Sequence, residues 1–334
     1  MSRLRAERRL SIIYIILPVI VLFTIIGLTG CQGPIRETSV EGSGDETQAG
    51  QDARYIYGIP MDSSAGIITA SVADIFASPD IKSERVTQAL YNQPVSVLQK
   101  ENGWIKVKTV DGSTGWIKTK FLDSDISSIS GRSYTHKIIV TSREKVILSG
   151  PSGGTTRIDA PMGAEFYAFN DYDDAYEVFL PGNKTGWLKG SGLIHIGLEE
   201  MIPVTNPDDF AATALRLKGT SYLLNGLSSM GIDAPGLIYI SARINGINLP
   251  RTIEGQLASG TEIAIEDTKA GDLVFLSGTG ENEDSVISGV GICTGGGSYL
   301  YAGRKIGYVA VGDINRENQE GKVVAARRIF NDAN

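Results

Sequence analysis

The four residues Gly115-Trp116-Ile117-Lys118 return 71 residues further on as Gly186-Trp187-Leu188-Lys189, and this repeat constrains the fold more than any other feature of the chain. Each copy closes a run in which apolar residues alternate with polar ones between turn formers. In PVSVLQKENGWIKVKTVDGSTGWIKTKFL, Val95 and Val97, then Ile105 and Val107, then Trp116 and Phe121 fall on one face of successive strands, with ENG and DGSTG as hairpin turns. The second copy, YEVFLPGNKTGWLKGSGL, keeps the same arrangement more loosely. Alternation with a period of two gives a strand one buried face, and repetition at a fixed spacing implies tandem modules. The region from Ile67 to Ile196 is therefore expected to be two small β modules, with Trp104, Trp116 and Trp187 in their cores rather than along a ligand groove. The 40 glycines fit many short turns between strands.

From Pro203 the pattern changes to a helical one. TNPDDFAATALRLKGT has Asn206 as a cap, Pro207 at the first helical position, Phe210, Ala214 and Leu217 on one face and Gly219 as a stop. DAPGLIYISARING starts a second helix, with Asp233 as its cap, Leu237, Ile240 and Ile244 on one face, and Gly246 at its end. The runs DLVFL, GVGIC, SYLYA, GYVAV and VVAARRIF read as strands. Two helices followed by an antiparallel sheet indicate an α+β domain.

The N-terminus carries Arg3, Arg5, Arg8 and Arg9 around Glu7, then an apolar run from Leu10 to Leu28. It ends in Leu28-Thr29-Gly30-Cys31, which resembles the bacterial lipobox. That resemblance implies a signal peptide over residues 1–30 and a lipid anchor on Cys31, placing the remainder outside the cytoplasm. The competing reading is an uncleaved membrane helix. The formal charge of −7 would fall to −10 on cleavage; such an acidic chain is not built to bind nucleic acid. With Cys31 acylated, Cys293 has no partner. Residues 31–55 are polar and poor in large apolar side chains, as in a flexible tether.

Two further resemblances organise the rest. The strand, turn and Gly-Trp-aliphatic-Lys ending is similar to bacterial SH3-like domains. The order GTSY, GID-x-x-G opening a helix, GINLPRT with Gln256 four residues beyond, AGDLVF, GVGICTG and a closing ARRI resembles the NlpC family of papain-like cell-wall peptidases, over about 125 residues. Together these imply a multidomain fold: two small all-β SH3-like barrels, over 56–125 and 132–198, followed by an α+β papain-like NlpC domain over 199–334.

In that family a helix-opening Asp-Cys-Ser-Gly supplies the nucleophile, the strand matching GVGICTG starts with the catalytic His, and a third polar residue stands on the next strand. A thiolate needs its pKa lowered by a helix N-terminus and an imidazolium, and the third residue orients the ring. Here the corresponding positions are Ala234, Pro235, Gly289 and Tyr301, and the only histidines, His136 and His195, precede the domain. Cys293 shares a strand face with Gly289 but lies roughly 13 Å along it, so it reads as a packed small residue. Asp233 with Tyr222 offers an acid/base pair for hydrolysis without a covalent step, though no metal-ligand cluster or cofactor motif accompanies it. CTGGGS reads as a hairpin turn and GENEDS as a solvated loop tip.

The resemblance places Tyr222 and Asp233 where SH3-bearing relatives hold the amine of a terminal L-alanine, and Arg251 and Gln256 beside the groove. The expectation is an envelope lipoprotein that is a pseudoenzyme, binding peptidoglycan stem peptides or a partner cell-wall hydrolase, with its ligand held by Tyr222, Asp233, Arg251 and Gln256. The alternatives are an active D-γ-glutamyl-diamino acid endopeptidase with a rearranged site, and a purely structural adaptor.

Overall fold

A computed structural model describes residues 55–131, 133–278 and 286–330. The leader, Cys31, most of the expected tether and the acidic loop tip lie outside the described residues.

The first β module contains β1 (Ala65–Ile68), β2 (Val72–Phe76), β3 (Arg85–Leu90), β4 (Pro94–Glu101), β5 (Trp104–Lys108), β6 (Thr114–Lys118) and β7 (Leu122–Asp123). The second contains β8 (His136–Val140), β9 (Glu144–Gly150), β10 (Gly153–Pro161), β11 (Glu165–Tyr172), β12 (Ala175–Leu180), β13 (Lys184–Lys189) and β14 (Leu193–Gly197). Their strand orders, β3-β2-β6-β5-β4-β1-β7 and β10-β9-β13-β12-β11-β8-β14, are the same order shifted by seven strands.

Neither sheet closes, which corrects the expectation of barrels: the end strands β3 and β7, or β10 and β14, do not pair with each other. The physical reason is clearest in the first sheet. β7 is two residues long, and the free edge at β3 is occupied by a turn of the C-terminal domain rather than by β7. Asn225 Nδ2 there donates to the backbone carbonyl of Arg85 at 2.6 Å and Leu227 N to the Gln88 side chain at 2.8 Å, so the turn covers an edge that would otherwise be open to pairing.

The repeated Gly-Trp sits where each sheet is thinnest. β2 meets β6 through one pair, Phe76 opposite Trp116, and β9 meets β13 through Leu148 opposite Trp187. A Cβ on Gly115 would stand 2.6 Å from the Phe76 carbonyl oxygen, and one on Gly186 would stand 2.4 Å from Ile147 Cγ2. Glycine is needed in both copies because another strand approaches too closely for a side chain. Ile117, not Trp116, joins Val95, Ile105 and Val107 in the first core. Lys106 pairs with Trp116 and Ile105 with Ile117, so the tryptophan lies on the opposite face.

In the C-terminal domain, α1 (Pro207–Leu215) and α2 (Ala234–Ile244) pack on a sheet. In chain order the short α3 (Ile253–Leu257) follows α2 and precedes the strands of the sheet. The strands are β15 (Thr261–Ile263), β16 (Leu273–Ser277), β17 (Ile287–Gly295), β18 (Ser298–Ala302), β19 (Val309–Asp313) and β20 (Val323–Arg328), in the order β15-β20-β16-β17-β18-β19. Both helix starts follow their cap residues: Asn206 accepts from Asp209 N at 2.8 Å and Asp233 from Gly236 N at 2.8 Å. Phe210, Leu237, Ile240, Phe275, Val290, Ile292 and Leu300 form the core between helices and sheet.

Candidate functional site

A groove of about 680 Å³ opens where the N-terminus of α2 meets the ends of β17 and β18. Tyr222, Asp233, Ala234, Gly289, Tyr301, Arg304 and Glu320 are among its walls. The helix starts here for local reasons: Asp233 is in extended backbone and caps, and Pro235 in the first turn lacks only an N–H that the helix leaves unused. Gly236 has no room for a side chain, since a Cβ would stand 2.4 Å from the Gly226 carbonyl oxygen and 2.7 Å from Asp233 Oδ1.

Asp233 is the electrostatic centre of the groove. It is 4% exposed and pairs with Arg251 Nη2 at 2.9 Å. It accepts from Gly236 N at 2.8 Å and from Asn225 N at 3.0 Å. Burial pushes its carboxyl above the ordinary value, against the pull of Arg251 and the two backbone donors. Tyr222 and Tyr301 are likewise raised, first by burial, with Asp233 adding to the shift at Tyr222 and Glu320 at Tyr301.

The positions matched to the nucleophile and the imidazole both line this groove. Ala234 lines it as the first residue of α2. Gly289 on β17 is free of steric demand: a Cβ there would meet nothing nearer than Leu276 Cβ at 3.5 Å. Space has been left where a side chain would fit. Tyr301 follows on β18, opposite Gly291.

Of the four residues expected to bind ligand, the structure brings Tyr222 and Asp233 to the groove wall and sets the other two behind it. Arg251 is buried, with Nη2 shared between Asp233 and the Gly226 carbonyl at 2.9 Å. Gln256 is fully buried, and its Nε2 donates to the Pro235 and Pro250 carbonyls at 2.9 and 2.8 Å. These bonds tie the start of α2 to the Pro250 turn. Sequence reasoning missed Asn225, Arg304 and Glu320, since none lies in a recognisable motif.

Cys293 does share a face with Gly289 on β17, but it is 1% exposed among Val274, Leu276, Tyr299 and Tyr301. Burial, with Asp272 nearby, pushes its thiol up to about 12. His136 and His195 stand together on the second module, ring centroids 5.9 Å apart, and neither lines the groove. Among the described residues no group of three or more His, Cys, Asp or Glu side chains is placed to hold a metal ion. The groove therefore presents the carboxylates of Asp233 and Glu320, the phenols of Tyr222 and Tyr301, the Arg304 guanidinium and the Lys305 ammonium to a ligand.

Comparison with known proteins agrees with this layout. Residues 219–328 match the NlpC/P60 family and residues 71–123 the bacterial SH3 domain. A γ-D-glutamyl-L-lysine dipeptidyl-peptidase of Bacillus cereus is 23% identical over 249 residues, 72% of this chain and 74% of that protein. Dipeptidyl-peptidase 6 of Lysinibacillus sphaericus is 26% identical over 223 residues, 64% of this chain and 81% of that protein. A crystal structure of an NlpC/P60 family protein from Bacillus cereus superposes with a TM-score of 0.71 at 21% identity, covering 80% of this chain and 99% of that one. Both named relatives are peptidases, and this counts against the expectation of a chain without enzymatic activity and corrects it.

Proposed function

We propose that this chain, in which an SH3-like domain precedes an NlpC/P60-family domain, acts on peptidoglycan stem peptides taken up in the groove at the start of α2. One observation carries the reading. Asp233 is a buried carboxylate on the groove wall, held by one guanidinium and two backbone donors, with its carboxyl still raised. A buried acid whose charge is incompletely compensated favours a further positive group. The terminal ammonium of a stem peptide supplies one, with Tyr222 beside it as hydrogen-bond partner. The peptide body then lies over Ala234 and Gly289.

The peptidase names of the relatives support turnover in the same groove, at the bond after D-γ-glutamate. Neither a thiol nor an imidazole lines the groove among the described residues. Cleavage here runs by direct addition of water to the peptide carbonyl. The new C–O bond forms, the C–N bond breaks, and a proton passes from the water to the leaving amine. The lipobox at Leu28-Thr29-Gly30-Cys31 supports an extracytoplasmic protein held to the membrane through Cys31.

Calorimetry with a stem peptide bearing a free N-terminal L-alanine, and with its N-acetylated form, tests the reading, together with chromatography for new amine-bearing products. The free peptide is expected to bind and the acetylated one to lose affinity about tenfold or more. Any products should persist in Cys293→Ala. Equal affinity for the two peptides, or none for either, overturns amine recognition; products that vanish in Cys293→Ala overturn water attack.

A further inference from the structure

We infer that Asp74, Arg85 and Gln88 of the first β module are positioning residues for the groove, acting through the turn 223–227 that fixes Asp233; the inference rests on the groove being the peptide site. None of the three lines the groove. Their effect is carried by a continuous set of hydrogen bonds.

Asp74 is the origin. Its carboxylate takes the Arg85 guanidinium side-on, from Nε at 2.7 Å and Nη2 at 3.2 Å, and also accepts from Gln88 Nε2 at 2.9 Å. A guanidinium held by two of its nitrogens has little freedom left, so Nη1 is aimed outward, donating to the Leu224 carbonyl at 3.0 Å. Gln88 is held in the same way, and its Oε1 accepts from Leu227 N at 2.8 Å. Gln88 is 6% exposed, so its bond to Leu227 N is buried and costly to leave unmade, while the Arg85 contact to Leu224 lies at the surface.

Asn225 joins the two sides. Its side-chain nitrogen donates to the Arg85 carbonyl at 2.6 Å, while its backbone N–H donates to Asp233 Oδ2 at 3.0 Å. It adopts φ 58, the left-handed region that asparagine tolerates better than most side chains. The next residue, Gly226, accepts from Asp233 N at 3.3 Å and from Arg251 Nη2 at 2.9 Å. Both members of the Asp233–Arg251 pair thus hang on residues 225 and 226, and the flanking residues 224 and 227 hang on Arg85 and Gln88. The edge strand β3, which has no strand on its outer side, spends its free groups on the site.

The decisive measurement is the titration of the Asp233 carboxyl by carbon-13 NMR in the full chain, without peptide, alongside the dissociation constant for the free-amine stem peptide. An N–H donated to a carboxylate favours its ionised form. Arg85→Ala loosens the turn and with it the Asn225 donor, so the Asp233 midpoint should move to higher pH. Arg251, which pairs with Asp233, and Tyr222, Tyr301, Arg304, Lys305 and Glu320, the charged and titratable groups that line the groove with it, are unchanged in the variant. Peptide affinity should weaken about tenfold. Arg85→Lys serves either Asp74 or Leu224 but not both, so it should recover part of the shift. Gln88→Met, which keeps the bulk and removes both hydrogen bonds, serves as the second variant should Arg85→Ala fail to fold. A folded variant with an unmoved Asp233 midpoint overturns the inference. The titration needs no ligand, so a moved midpoint in a chain that binds no peptide supports positioning while sinking the peptide reading alone.

Discussion

Each end of α2 holds a buried arginine–carboxylate pair, and the two pairs are compensated differently. At the C-terminal end, Arg243 Nη2 meets Glu165 Oε1 at 2.7 Å, Lys137 Nζ stands 3.9 Å from Oε2, and the Tyr57 hydroxyl donates at 2.5 Å. Burial alone would raise the Glu165 carboxyl, but Arg243, Lys137 and Tyr57 outweigh it and hold the group below its ordinary value. At the N-terminal end, Asp233 has one arginine and two backbone donors, and burial wins. A fully compensated carboxylate acts as a lock between parts of a protein. An undercompensated one on a groove wall is poised to take another cation. Glu165 is the lock: Tyr57 reaches it from the N-terminal end of the described chain, Arg243 from α2, and Asn92 Nδ2 of the first module donates to its backbone carbonyl at 2.9 Å.

The largest expected effect comes from breaking the lock. Glu165→Ala strands Arg243 and Lys137 in the interior, and the Arg243 Nε already lacks a partner among the described residues. Removing one member of a buried pair costs about 3–5 kcal/mol, so denaturant unfolding should show a loss of that size. A loss below about 1 kcal/mol, the range of exposed pairs, would show that the cluster is not a lock.

Asp233→Asn should cost less, about 2 kcal/mol, because asparagine also caps helices and keeps an acceptor for Gly236 N. Its signature is in the pH dependence. The lowered pKa of Glu165 contributes stability that is present above its unfolded value and lost as pH falls through the folded one. The raised pKa of Asp233 has the opposite sign: its contribution is present below the unfolded value and lost as pH rises through the folded one. Unfolding curves across the carboxylate range should therefore lose part of their acid-side decline in Glu165→Gln and show a steeper rise with pH in Asp233→Asn. Slopes that change in the same direction for both would break the comparison.

The same contrast explains what the sequence shows of this molecule and what it hides. The caps Asn206 and Asp233 are readable because capping is settled within three or four residues. The Gly-Trp repeat announces two modules with one topology. Barrel closure is not readable, because alternation tells which face of a strand is buried and not which edge finds a partner. In the site, Ala234 and Gly289 are placed by motif and spacing. The turn that holds Asp233 is not, since its partners Arg85 and Gln88 lie 139 residues away from Leu224 and Leu227. The place of Gln256 is hidden for a related reason: a side chain next to a groove motif can serve the backbone behind it, as its bonds to the Pro235 and Pro250 carbonyls do.

Cys293 gives the smallest expected effect. It shares a strand face with Gly289, so a displaced thiol mechanism is the obvious rival to water attack. The surroundings decide against it: at 1% exposure and with its thiol pushed up to about 12, almost none is thiolate at neutral pH. Native protein should react with iodoacetamide only as fast as it unfolds, and peptide binding and any cleavage should be unchanged in Cys293→Ala. The stability cost of that change is the loss of one packed sulfur, about 1 kcal/mol. Rapid alkylation of the folded chain, protected by stem peptide, would instead put the thiol in reach of the groove and make its buried position on β17 the wrong account of the site.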